Sequence, residues 1–112
     1  MNFSESLRKN RDFSFVYNYK KSYANKYLIM YVKPNNSNRN RLGISVSKKV
    51  GNSIIRHRVT RLIRESYRLK ESLFSCGFDI VVIARPSTKG IKYRKIESAL
   101  IHIGKLHGIF GE

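Results

Sequence analysis

The side chains in this sequence best equipped for chemistry are guanidiniums: Arg56, Arg58, Arg61, Arg64 and Arg68 crowd one short segment. Arginine suits phosphate because its planar fork makes paired, charge-assisted hydrogen bonds and stays charged at any relevant pH. His57, Arg61, Arg64 and Arg68 follow one another at intervals of four, three and four residues. On a helix these intervals put all of them in one narrow sector, a ridge about 16 Å long at a rise of about 1.5 Å per residue. Such a ridge can track a phosphate backbone. A solvated face is the plainer alternative. Solvated faces mix signs to gain pairs one turn apart, however, and in the central turns only Glu65 interrupts the positive field. Just upstream, Lys48, Lys49, Gly51 and Asn52 lead into the helix start, where free N–H groups and the dipole favour an anion. The Gly-x-x-x-x-Gly-Lys-Ser/Thr spacing of a P-loop is missing, so that loop alone is a weak signal.

Other chemistries are poorly served. His57, His102 and His107 stand at no metal-ligand spacing with Cys76, and no pair of Asp or Glu offers general acid–base work. The sequence therefore predicts no catalytic residue and no metal site on the chain. His102 and His107 are expected at or near the surface of the last helix. Phe13, Tyr17 and Tyr31 are candidates for stacking on bases of a single strand, since every base has a π face. For any one aromatic a place in the core is the commoner fate. Tyr31 is the best exception, because its hydroxyl needs a partner or water.

Charge points the same way. Among 112 residues, 23 Lys and Arg face 7 Asp and Glu, a formal charge of +16. That imbalance makes a compact state repel itself and makes sense where a polyanion supplies the missing charge. No apolar run approaches the roughly 20 residues needed to span a bilayer. The start, Met1 to Leu7, lacks the charged and apolar regions of a signal peptide. A lone Cys76 fits a reducing compartment. The composition predicts a cytoplasmic nucleic-acid binder, with residues 1–112 forming a single domain whose 41% hydrophobic content suffices for a core.

Periodicity supplies the elements that must hold these groups. A helix is expected after Asn10, a good N-cap, to about Tyr19, with aromatic rows Phe13–Tyr17 and Phe15–Tyr19 flanking Val16. Strands are expected over Tyr27 to Lys33 and Arg41 to Ser47, separated by the polar cluster Pro34 to Asn38. In the second strand Leu42, Ile44 and Val46 point one way, and Gly43, Ser45 and Ser47 the other. A Gly and Ser face leaves room for something large close to the backbone. The basic helix should run from about Ser53 to Leu73, with Ile55, Val59, Leu62, Leu69 and Leu73 as its apolar stripe and Ile63 at the edge. Phe78 to Ala84 looks like a strand buried on both faces. A last helix, from Ile91 or Lys92 to His107, turns Ile96, Ala99, Leu100, Ile103 and Leu106 inward, with Gly108 at its cap. The fold class is α/β (α+β), a two-layer sandwich of helices on a small mixed sheet. The order is α-β-β-α-β-α, with room for a short further strand near Ser22 to Asn25.

From Arg41-Leu42-Gly43-Ile44-Ser45-Val46-Ser47-Lys48-Lys49-Val50-Gly51-Asn52 through Ser53-Ile54-Ile55-Arg56-His57-Arg58-Val59-Thr60-Arg61-Leu62-Ile63-Arg64-Glu65, the chain resembles the bacterial ribonuclease P protein family. Lys9-Asn10, Asp12-Phe13, Tyr17 and Ala24-Asn25-Lys26 extend the likeness to the first helix and the turn after it. Asp79 to Arg85 resembles the family's last strand, and the likeness is weakest from Ser87 to Glu112. One departure stands out: Arg56-His57-Arg58 replaces the family's usual Arg-Asn-Arg, putting an imidazole that can donate and accept where the family has an amide.

The resemblance implies a fold like domain 2 of ribosomal protein S5, with a rare left-handed crossover between parallel strands, against the roughly 98% right-handed norm. It implies that Lys48, Lys49, Asn52, Arg56, His57, Arg58, Arg61, Arg64 and Arg68 meet a catalytic RNA subunit. A cleft at Phe13, Tyr17, Tyr31, Ser45 and Ser47 would hold the single-stranded 5′ leader of precursor tRNA. Magnesium would be bound mainly by the partner RNA, which performs the hydrolysis, with no obligate protein partner and no membrane. A basic ribosomal structural protein and an independent nuclease are the rival readings. The first would not need an arginine helix joined to an open aromatic cleft, and the second would cleave RNA when purified alone.

Overall fold

An almost unbroken apolar run belongs in the middle of a sheet, and β5, Phe78–Ala84, takes that place. The computed structural model describes residues 4–111. Its other strands are β1 Ser4–Ser6, β2 Ser22–Ala24, β3 Leu28–Pro34 and β4 Asn40–Ser45. They assemble in the order β1-β4-β5-β3-β2. β5 runs parallel to β4 and antiparallel to β3, while β1 and β2 form the parallel and antiparallel edges. The helices are α1 Asn10–Tyr19, α2 Ser53–Lys70 and α3 Tyr93–Leu106. The mixed sheet, the expected element order and the short strand near Ser22 are all present. β1 has no counterpart in the sequence pattern. Ser4-Glu5-Ser6 carries no apolar alternation and becomes a strand only by pairing with Asn40 to Leu42.

Strand alternation divides the apolar residues between two faces. Leu28, Met30, Val32, Leu42, Ile80, Val82 and Ala84 meet α2 and α3 in the main core. The opposite face is only partly covered, by α1: Leu7, Val16 and Val81 are buried there, with Phe13, Tyr17, Tyr31 and Ile83 half-buried around them. Gly43 faces this side. A Cβ on it would stand 2.6 Å from Phe13 Cζ, so the missing side chain is what lets the Phe13 ring lie against β4.

Several expectations need correction. The buried residues of α2 are Val59, Ile63, Ser66 and Tyr67, so Ile63 is central rather than marginal, while Leu69 and Leu73 are exposed. A stripe through Leu69 and Leu73 requires an unbroken helix to Leu73. The α-helix stops at Lys70 (φ −115°, ψ 9°), and a 3-10 turn over Glu71–Leu73 redirects the chain. The core volume is filled instead by the Tyr67 ring, packed on Phe74 at 5.1 Å. Its hydroxyl shares hydrogen bonds with Ser4 Oγ at 2.8 Å and Asn40 Nδ2 at 3.3 Å. Burial pushes the Tyr67 phenol above its ordinary pKa, with those hydrogen bonds acting against the rise.

α3 ends at Leu106, which is exposed rather than inward, and Gly108 closes it at φ 73°. His107 is buried, not superficial. Its Nε2 bonds the Met30 carbonyl at 2.8 Å and its ring meets Tyr23 edge-on at 4.7 Å. Burial depresses its pKa, the Met30 bond opposing, so the neutral imidazole with hydrogen on Nε2 is favoured. At the other boundaries, Lys9 rather than Asn10 holds the α1 cap position, and β4 stops at Ser45. Ser47 already belongs to the next turn: its carbonyl accepts from Val50 N–H and its Oγ from Lys49 N–H.

Candidate nucleic-acid interface

Cations cover the solvent side of α2 because its apolar side is consumed by the core. Asn52 caps the helix, its Oδ1 accepting from Ile55 N–H at 3.0 Å, and no acid occupies the first turn. His57, Arg61, Arg64 and Arg68 are all exposed, as the ridge requires. They are not equivalent. Arg68 is held by Glu65 through a forked ion pair, which lowers the Glu65 pKa and raises that of Arg68. Arg58 is half-buried and donates to the Ile91 carbonyl at 2.8 Å, tying α2 to the segment before α3. Arg56 is also half-buried, with Nε enclosed and unpartnered among the described residues. Lys48 and Lys49 are exposed on the turn that enters the helix. The outward ridge is thus centred on His57, Arg61 and Arg64.

The aromatic candidates come together on the other side of the sheet. Phe13, Tyr17 and Ser45, with Arg8, Asn10, Ser14 and Ile44, line an open cleft of about 500 Å³. Phe13 and Tyr17 are one helical turn apart with ring centroids at 6.4 Å. Tyr31 stands edge-on to Tyr17 at 5.0 Å, and so supports it rather than lining the cleft. Ser47, beyond the end of β4, does not reach it. Burial raises the Tyr17 phenol pKa, partly offset by a hydrogen bond with Ser45.

Two features escaped the sequence pattern. Arg8 lines both this cleft and a neighbouring depression of about 200 Å³ shared with Ser6, Leu7, Leu42, Ile44 and Arg64. A third depression of about 500 Å³ runs from Ile44 and Val46 to Arg56, His57, Thr60, Arg61 and Arg64. Ile44 is common to all three, so the aromatic cleft and the basic ridge join in one furrow. A cation just ahead of α1 was the only available signal for Arg8. The second is Arg41, whose fork grips Asp79 at 2.9 and 2.6 Å and lies 3.7 Å from Asp12 in the first turn of α1. Burial alone would raise the Asp79 pKa, but the Arg41 fork and the Asn35 amide outweigh it and hold the carboxyl below its ordinary value. No signal in the sequence joined Arg41 to residues so distant.

Among the described residues no group of His, Cys, Asp and Glu could hold a metal ion, and no helix is long and apolar enough to cross a membrane. A mixed α/β sandwich with a cationic helix and an aromatic furrow has the charge and the stacking surfaces that suit the class of RNA-binding proteins. The family model for Ribonuclease P matches residues 1–106. The chain is 59% identical over 106 residues to the ribonuclease P protein component of Lachnoclostridium phytofermentans, covering 95% of this chain and 91% of that one. It is 52% identical over 103 residues to the same component from Alkaliphilus metalliredigens, covering 92% and 93%. The solved Staphylococcus aureus RNase P protein superposes with a TM-score of 0.88 at 36% identity, over 96% of this chain and 99% of that one. The Thermotoga maritima protein gives 0.83 at 30% identity, over 90% and 96%. The chain belongs to the ribonuclease P protein family.

Proposed function

We infer that residues 1–112 act as one RNA-binding domain, the protein subunit of a cytoplasmic ribonuclease P holoenzyme. The holoenzyme is an endoribonuclease that removes the 5′ leader of precursor tRNA. Hydrolysis belongs to the catalytic RNA and to the magnesium ions it binds. The protein supplies charge and shape. Exposed Lys48, Lys49, His57, Arg61, Arg64 and Arg68 screen phosphate repulsion along the catalytic RNA. Asn52 and Arg58 hold the helix in place while standing in the same surface, and Arg56 turns toward the furrow. Phe13 and Tyr17, backed by Tyr31 and Ser45, receive the single-stranded leader. Because mature tRNA lacks the leader, contacts to it favour substrate over product.

The observation that supports this reading is the furrow, in which the cleft at Phe13 and Tyr17 meets the cationic ridge through Arg8, Ile44 and Arg64. An independent nuclease would need its own reacting groups, and a purely structural ribosomal protein has no use for the aromatic half. In reconstituted holoenzyme, Phe13→Ala or Tyr17→Ala should weaken precursor tRNA binding about five- to fiftyfold while changing mature tRNA binding far less. Equal loss for both substrates would remove the leader from the cleft.

A further inference from the structure

Ile54 is 79% exposed, the most exposed large apolar side chain among the described residues. It sits in the first turn of α2. Its neighbour Ile55 packs against the main core, and Ile54 does not. A shallow depression of about 390 Å³ opens at this point, lined by Ser53, Ile54, His57, Arg58 and Arg61. Helical geometry stacks His57 and Arg58 over Ile54, three and four residues on, and places Arg61 two turns along. No acid lines the depression, and Arg58 is anchored there by its bond to the Ile91 carbonyl.

A protruding isoleucine with His57, Arg58 and Arg61 beside it on the same helix calls for a ligand with both apolar and anionic character. Phosphate alone gains nothing from isoleucine. A protein partner would need a far larger contact, since stable interfaces bury about 800 Å² a side. A nucleotide fits both demands: an unstacked base has an apolar face to lie on the isoleucine, and its flanking phosphates reach the neighbouring arginines. We propose that Ile54 and its depression receive one unstacked base of the RNA lying along α2, adding an apolar contact to an otherwise ionic surface. The proposal rests on α2 being the RNA-facing helix.

Salt separates the two kinds of contact, because ionic contacts release counterions and an apolar one does not. Wild-type protein, Ile54→Ala, Ile54→Leu and the double variant Arg61→Ala/Arg64→Ala are each titrated against the catalytic RNA over a salt series. Base-selective chemical probing is run on each complex. Ile54→Ala should bind about five- to tenfold more weakly at every salt concentration, with a slope parallel to wild type. One base protected by wild type should become reactive, and Ile54→Leu should restore both affinity and protection. Being exposed, position 54 should leave the urea midpoint unchanged. Unaltered affinity and footprint in Ile54→Ala would overturn the base site, as would a weakened complex in which no base changes reactivity. If the Arg61→Ala/Arg64→Ala slope equals wild type, the assignment of α2 to RNA falls, and the base site with it.

Discussion

The two faces of the sheet divide the work of this molecule. Under α2 and α3 the core is continuous and includes Ile63, Tyr67, Ile80, Leu100 and Ile103, all fully enclosed. Under α1 the buried apolar side chains among the described residues are Leu7, Val16 and Val81, and the rings of Phe13, Tyr17 and Tyr31 remain half in solvent. Apolar burial stabilises roughly in proportion to area, so the first face carries the stability. The second keeps its aromatic surface available to a ligand at the expense of that stability. The same sheet thus anchors the basic helix rigidly on one side and holds a loosely filled cleft on the other.

Unfolding by urea tests this division most strongly. Ile63→Ala should lower stability by about 2–5 kcal/mol, whereas Val16→Ala under α1 should lower it by roughly 1–2 kcal/mol. A larger loss at Val16 would reverse the assignment of the two faces. The cationic side of α2 should behave in the opposite manner. Arg61→Ala/Arg64→Ala should leave stability within about 0.5 kcal/mol of wild type and reduce the salt dependence of RNA binding by about two phosphate contacts. An unchanged slope in the folded variant would mean that the ridge does not meet phosphate.

The smallest effect concerns the joint between α1 and the sheet. Asp79 has a folded pKa below the ordinary carboxylate value of about 3.9, so its stabilisation is present above that pH. It is lost as the pH falls through the depressed folded value. Asp79→Asn should therefore flatten the fall of the urea midpoint below about pH 4. Parallel acid profiles for wild type and variant would show that Arg41 and Asp79 contribute nothing to holding this face.

Local rules recovered most of the elements, because helix and strand periods are written in consecutive residues. The exposed ridge at His57, Arg61, Arg64 and Arg68 follows from spacing alone, and so does the buried β5. The failures cluster where a distant residue decides. Leu69 and Leu73 fit a helical stripe, yet the core took Tyr67, whose hydroxyl is satisfied only by Ser4 and Asn40. His107 looked like a surface residue until the Met30 carbonyl gave it a buried partner. Ser47 fitted the strand alternation but lies past the last paired residue.

By itself the sequence determined the charge, the order of the helices and of every strand after β1, and the types of side chain able to meet RNA. These depend on composition and on neighbours within a turn or two of chain. Only the tertiary structure decided that Arg8 and Ile44 bridge cleft and ridge, that Arg41 fastens α1 to β5, and that Gly43 makes room for Phe13. Each of these is a contact across strands or layers, and no period along one segment encodes which surface another segment will meet.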